Sequence, residues 1–301
     1  FVSPATLRLY PHGREAAHLL GVVDRDGLGI AGIEKSQQER LAKGEAVTLS
    51  IDLALQAILR EQVSRQIERF EAIGGAGLIL DMKTGELLAL ASLPDFDPNH
   101  LMAAEEKARF NQAAKGVFEM GSIFKVLNTA IALESGAARL DSQFEVARPM
   151  RVSRFAIRDY HPLEGPLSVP EILVHSSNIG SARMADLIGP DTQRAYLDRL
   201  GLLRASALEI PENGQPLLPP RWGRIASLTI SYGHGLSVSP VQAAAAIAAA
   251  AGDGHYIRPT LLKRSPQDEI ERLRIFSEDT ARAVRSMMRL VVSHEAGTGN
   301  L

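Results

Sequence analysis

The chain has 301 residues, 45% of them hydrophobic and 23% charged, with a formal net charge of -2 and no cysteine. This is ordinary globular composition, enough for one large domain or two smaller ones, and it excludes a thiol nucleophile, a disulfide framework and cysteine-ligated metal sites. No basic tract exceeds two residues, which argues against a nucleic-acid partner, and no apolar run approaches the ~20 residues of a membrane span.

Residues 1 to about 49 read as a small irregular part, rich in Gly, Arg and His, with Gly29-Ile30-Ala31-Gly32-Ile33-Glu34 as a glycine-punctuated turn region. No signal peptide is visible at Phe1, and the opening Phe1-Val2-Ser3 reads as the middle of a longer protein, so any anchor is expected upstream. A regular domain begins near Leu49. Asp52 is a favourable N-cap, and Leu55, Ile58, Leu59, Val63, Ile67 and Phe70 follow at helical spacing, predicting an amphipathic helix over 52–71. The apolar runs 77–81 and 86–92, joined by Met82-Lys83-Thr84-Gly85, predict a β-hairpin. Both runs are nearly all apolar, so the sheet is expected to be covered on both faces.

From about residue 103 the pattern turns mostly helical. A helix is predicted over roughly 122–135, ending near Gly136. Another spans 168–189, interrupted at Ser176-Ser177-Asn178. Ser239-Pro240 opens an alanine-rich helix over 238–251, and Ser277-Glu278-Asp279 opens one over 277–292. Residues 255–263 are consistent with a strand.

Two short patterns carry possible chemistry. In Ser122-Ile123-Phe124-Lys125 the serine and lysine share one helical face, which brings the amine within reach of the hydroxyl. A serine alcohol needs a base to become a nucleophile. A lysine can be that base if burial lowers its pKa, and the positive end of a helix dipole disfavours ammonium further. That same helix end favours an oxyanion near the Ser122 N–H. The bland reading is an N-cap serine followed by a solvated lysine, since one S-x-x-K is expected by chance in roughly every 300 residues. Only Ser122 has a lysine three positions later. Ser176-Ser177-Asn178 is the second pattern. It reads either as a turn or as a proton-shuttling Ser176 with an Asn178 amide that orients an acyl-amide substrate.

Other patterns are set aside. Lys83-Thr84-Gly85 matches a K-T-G triplet, but it lies in the predicted hairpin turn, upstream of Ser122. His161, His175 and His234 suggest a triad, yet no G-x-S-x-G elbow or H-E-x-x-H pattern accompanies them. Tyr232-Gly233-His234-Gly235 reads as a tight backbone turn.

In combination these residues resemble class B penicillin-binding proteins. Phe118-Glu119-Met120-Gly121-Ser122-Ile123-Phe124-Lys125 resembles the family's S-x-x-K motif with its flanks. Val174-His175-Ser176-Ser177-Asn178-Ile179-Gly180 resembles its S-x-N motif, and the 54 residues from Ser122 to Ser176 match the family's spacing. Leu49 to Gln56, Asp81 to Ala89, Asp159-Tyr160-His161-Pro162, Ser231 to Pro240 and Arg258-Pro259-Thr260 also fit. Glu119-Met120-Gly121 and Tyr232-Gly233-His234-Gly235 look more like the septal, cell-division subtype than the elongation subtype.

The resemblance implies an α/β penicillin-binding/serine β-lactamase-like transpeptidase fold. Its central antiparallel sheet would be flanked by helices, with residues 1–49 as the remnant of a non-catalytic pedestal module and 50–301 as the transpeptidase domain. It implies peptidoglycan crosslinking through an acyl-enzyme on Ser122, with Lys125 as base, Ser176 relaying a proton and Asn178 binding substrate. No cofactor or metal is implied. The implied partners are D-Ala-D-Ala stem peptides, an acceptor amine, β-lactams, a membrane glycosyltransferase and division proteins. The implied place is the periplasm, anchored to the inner membrane.

Two departures are visible. The family's K-[ST]-G strand is expected beyond Leu301, and its absence is expected to leave the apolar face of the nucleophile helix uncovered. Arg40-Leu41-Ala42-Lys43 joins segments that the family separates, as though a loop between about 38 and 44 were omitted. A serine β-lactamase or β-lactam sensor, and a catalytically silent division scaffold, stay open as alternatives.

Overall fold

The computed structural model describes residues 7–299. The N-terminal part is built of short helices, α1 (Ala17–Leu20), α2 (Gly32–Ser36) and α3 (Gln38–Ala42). The expected turn region therefore becomes helix from Gly32 on. Gly32 has φ 59°, and a Cβ there would lie 2.5 Å from the Gly21 nitrogen, so the two glycines let α1 and α2 approach backbone to backbone. The backbone runs on through residues 38–44 as α3 and a turn. Ala16, Leu19 and Ile33 share an apolar cluster with Leu87, Leu90, Val241 and Leu261, so this part packs on the rest of the chain.

The long helix α4 (Leu53–Phe70) starts where the sequence predicts, with Asp52 accepting from the Ala54 and Leu55 N–H groups at 2.9 and 3.1 Å. It lies on an antiparallel hairpin of β1 (Gly75–Leu80) and β2 (Leu87–Leu93). The contact is close because β1 offers glycines. A Cβ on Gly77 would come within 3.0 Å of Leu59 and Val63. Gln56 is 2% exposed and exchanges two hydrogen bonds with the Leu90 backbone, at 2.8 and 3.0 Å.

Lys83-Thr84-Gly85 forms the tip of this hairpin. Asp81 accepts from the Lys83 N–H at 2.7 Å, Thr84 donates to Glu86 at 3.0 Å, and Gly85 packs at φ 75° against Arg258.

A helix, α5 (Glu106–Arg109), and a two-residue strand, β3 (Phe118–Glu119), lead to the 3-10 turn Gly121–Ile123 and helix α6 (Phe124–Glu134). The following stretch departs from the mostly helical expectation. It holds β4 (Gln143–Glu145), β5 (Met150–Val152), β6 (Phe155–Ile157) and β7 (Pro166–Ser168), with β5 paired to β6 inside the β4–β7 pair. These strands are three residues long, too short for an alternating pattern to stand out.

Helices α7 (Val169–Val174), α8 (Asn178–Ile188), α9 (Pro190–Arg199) and α10 (Arg224–Ile230) follow. Strand β8 (Ser237–Val238) pairs with β3, and α11 (Pro240–Ala251) carries the Ser239/Gln242 capping box with Pro240 in its first turn. The strand expected over 255–263 shrinks to β9 (His255–Tyr256), paired with β10 (Leu273–Arg274). Pro259 has no N–H and interrupts the ladder. Beyond it only single bridges remain, Thr260 to Glu86 and Leu262 to Leu49. Helix α12 (Glu278–Ser293) closes the order, capped by Ser277.

The hairpin β1–β2 lies between α4 and α11, as its two apolar faces require. Helix α6 is not left uncovered. Phe124, Leu127, Ala130 and Ile131 are all 2% exposed or less, within a helical layer of α7, α8, α9, α11 and α12. The alanines of α11 allow this close approach. No helix among the described residues is long and apolar enough to cross a membrane.

Replacing Gln56 with alanine leaves both backbone groups of buried Leu90 unpaired. Urea unfolding of Gln56→Ala is expected to show a loss of about 1–3 kcal/mol; Gln56→Glu, which turns a buried carboxylate towards the Leu90 carbonyl, should lose at least as much near neutral pH.

Candidate active site

The site is assembled at the start of α6. The 3-10 turn puts Ser122 on the surface, while Lys125, three residues on, is 1% exposed. The Lys125 Nζ donates to Ser122 Oγ at 2.9 Å, to Ser176 Oγ at 2.9 Å and to the Ser176 carbonyl at 2.7 Å. One amine thus joins two serines that are far apart in sequence. Burial pushes the Lys125 ammonium down to about 8, against a weaker upward pull from Asp159.

Ser176 sits in the link between α7 and α8 at φ 52°, a left-handed conformation that costs a non-glycine residue on the order of 1 kcal/mol. Its surroundings hold it there. Asp159 accepts from Ser177 Oγ at 2.8 Å, from the Ile179 N–H at 3.0 Å and from the Asn178 N–H. Ser177 Oγ accepts from the Gly180 N–H at 2.9 Å. The N-terminus of α8 is therefore capped twice, by its own serine and by a distant carboxylate. Asn178 points its amide at the Arg158 carbonyl, with 3.1 Å between them. It bonds to none of Ser122, Lys125 or Ser176.

A second brace fixes the nucleophile turn from the other side. Gly233 and Gly235 have φ of 85° and 83°, so Tyr232-Gly233-His234-Gly235 is indeed a tight turn. The Gly121 N–H donates to the Gly233 carbonyl at 3.2 Å, and a Cβ on Gly233 would fall 2.0 Å from the Gly121 oxygen. Only glycine fits. Glu119 completes the clamp by accepting from the Gly235 N–H at 2.6 Å and from His234 Nδ1 at 3.1 Å. The Gly235 N–H, then His234, hold the Glu119 carboxyl below the usual range.

Deeper in, Asn128 donates to the Ser181 carbonyl at 2.9 Å, and Ser181 Oγ donates to the Ser231 carbonyl at 2.8 Å. These bonds tie α6, α8 and the end of α10 together one turn below Lys125. His161, His175 and Lys83 take no part; Lys125 is the one side chain bonded to Ser122 Oγ among the described residues. Sequence reasoning missed Asp159, Glu119 and Asn128 as supports. Asp159 and Glu119 lie within the motif flanks, but nothing local shows what their carboxylates reach.

An exposed serine hydroxyl against a buried lysine with a lowered pKa is the arrangement a nucleophile and its base require. The penicillin binding protein transpeptidase domain matches residues 75–301. The chain belongs to that family. It is 37% identical to the probable peptidoglycan D,D-transpeptidase FtsI of Caulobacter vibrioides, over 97% of this chain and 51% of the relative. Identity to the peptidoglycan D,D-transpeptidase FtsI of Escherichia coli K12 is 30%, over 94% of this chain and 52% of that one. The chain thus spans about half the length of the curated relatives it matches. Penicillin-binding protein 3 of Mycobacterium tuberculosis, solved with aztreonam, superposes with a TM-score of 0.86 at 26% identity, over 98% of this chain and 71% of that one. The class B resemblance and the expected fold are borne out, and the FtsI relatives agree with the septal subtype.

If Lys125 is the base, only its neutral amine is competent, and acylation of Ser122 by a penicillin is expected to rise with pH and level off above a midpoint near 8. Stability has the same sign. Below about 8 the fold holds a buried ammonium, and that penalty, on the order of 3 kcal/mol, is relieved as pH climbs from about 8 towards the ordinary lysine value of 10.5. A flat acylation profile between pH 6 and 9, read by stopped-flow with a chromogenic β-lactam, would contradict the base assignment. Gly233→Ala is expected to cut the acylation rate at least about tenfold by displacing Gly121, since misplacement of ~1 Å costs that much or more.

Proposed function

We propose that this chain is the nucleophile-bearing part of a septal peptidoglycan D,D-transpeptidase. The carrying observation is the Lys125 amine held at 2.7–2.9 Å from Ser122 Oγ, Ser176 Oγ and the Ser176 carbonyl. In its neutral form Lys125 takes the Ser122 proton as Oγ attacks the penultimate D-Ala carbonyl of a stem peptide. The Ser122 N–H, at the positive end of α6, faces the developing oxyanion. The proton returns through Lys125 and Ser176 Oγ to the leaving D-Ala amine. The acyl group on Ser122 then passes to an amine of a second stem peptide, which closes the crosslink and frees Ser122. Asn178 steers the acyl-amide, its side chain exchanging the Arg158 carbonyl for the substrate. The steps need no cofactor.

A β-lactam ring presents a comparable carbonyl and acylates Ser122. The names of the FtsI relatives and the aztreonam complex of the mycobacterial neighbour favour this reading over a β-lactamase or a silent scaffold. We divide the chain at residue 49, with 1–49 as part of a pedestal and 50–301 as transpeptidase. Its place of work is the periplasmic face of the inner membrane. There a membrane glycosyltransferase supplies uncrosslinked strands and division proteins recruit it.

Incubation with a fluorescent penicillin, followed by intact mass, tests the reading. One adduct per chain is expected, absent in Ser122→Ala and formed at least about a hundredfold more slowly in Lys125→Ala, the usual scale of general-base loss. An adduct that survives Ser122→Ala would refute the assignment. Rapid release of hydrolysed antibiotic would favour the β-lactamase alternative.

A further inference from the structure

Residues 146–158 carry four arginines, Arg148, Arg151, Arg154 and Arg158, and no acid, in a chain whose net charge is -2. All four are exposed, and they line one depression together with Phe155. The hairpin beneath them is firmly seated. Val146, Met150, Val152 and Ile157 are buried in the main core, at 9% exposure or less. Strand alternation therefore sends Arg151 outward opposite Ala156, while Arg154 stacks over the Phe155 ring at 5.2 Å in the turn.

Their charge is not neutralised at home. None of the four is ion-paired among the described residues, whereas Arg139 pairs with Asp141 and Arg224 with Asp186. The carboxylates nearest in sequence are engaged elsewhere. Asp159 is spent on the N-terminus of α8, and Glu145 accepts from the Ala147 N–H at 2.8 Å. Four guanidinium groups on a short hairpin repel one another, and a partner with several carboxylates relieves that repulsion.

The position decides which partner. The Arg158 carbonyl, just past β6, receives the Asn178 amide at 3.1 Å, so the hairpin's end touches the S-x-N segment. We propose that the β5–β6 arginine hairpin docks the side carboxylates of an acidic peptide whose reacting end lies at Ser122. On the transpeptidase reading, on which this identification rests, that peptide is a stem peptide carrying more than one free carboxylate. Arg148, Arg151 and Arg154 bind its charges away from the scissile bond, and Phe155 offers an apolar surface to its stem.

The test is direct binding, which does not depend on acylation. A fluorescein-labelled peptide with three free carboxylates is titrated with the protein by anisotropy, beside the same peptide fully amidated. The acidic form is expected to bind at least about tenfold more tightly, with an advantage that shrinks as salt rises. Arg151→Gln with Arg154→Gln should remove most of that advantage, and Arg151→Lys with Arg154→Lys should keep most of it. Equal binding of the acidic and amidated peptides overturns the proposal, as does an unchanged Gln variant. Arginine-dependent binding to phosphatidylglycerol vesicles without binding of the acidic peptide also overturns it, in favour of a membrane contact. Penicillin acylation of the same proteins reports separately on Ser122, so a failure there is distinguishable from a failure of the hairpin.

Discussion

A buried ammonium joined to two serines is the constraint around which the rest is arranged. Lys125 is almost fully enclosed, and its partners are two hydroxyls and one carbonyl, with no carboxylate among them. A carboxylate partner would hold the amine charged and useless as a base. Neutral oxygens satisfy its donors while leaving the desolvation uncompensated, and the lowered pKa follows. Asp159 is close enough to be felt by Lys125, yet its oxygens are engaged at the N-terminus of α8. The same carboxylate therefore seats the second motif and exerts only a weak pull on the base.

Holding such a group costs stability, and the fold supplies rigid braces around it. The nucleophile turn is clamped by Gly233 and Glu119, the Ser176 link by Asp159 and Ser177, and the floor by Asn128, Ser181 and Ser231. Each brace joins a motif to a segment distant in the chain. The helices α8, α11 and α12 pack around α6 closely enough to exclude water from the amine. Alanine in α11 lets that helix approach α6, and glycine at positions 75 and 77 lets β1 approach α4, because small side chains allow close contact.

Charge is distributed in opposite ways inside and at the rim. Inside, Lys125 has no carboxylate bonded to its amine, and burial outweighs the pull of Asp159. At the rim, the β5–β6 hairpin displays a row of exposed arginines. A short strand pair with one buried face presents these charges in a fixed geometry. The Asn178 bond to Arg158 joins the hairpin to the S-x-N segment.

Local signals settled much of this in advance. The cap at Asp52, the hairpin around Gly85, the interruption at Ser176 and the Ser239-Pro240 start depend on neighbours a few residues apart, so they were legible in order along the chain. The pairing of Ser122 with Lys125 was legible too, because three residues along a helix is a fixed displacement. Other features depend on groups distant in sequence, and no period or spacing announces them. The three-residue strands of 143–168, the break at Pro259, the burial of Lys125 and the reach of Asp159 and Glu119 belong here. The sequence by itself determined which residues could act, Ser122, Lys125, Ser176 and Asn178, since their chemistry and local geometry are intrinsic. Only the tertiary structure decided that Lys125 is a buried amine of lowered pKa rather than a solvated cation. Its proton affinity is set by the water that packed helices remove and by the distant carboxylate they keep turned aside.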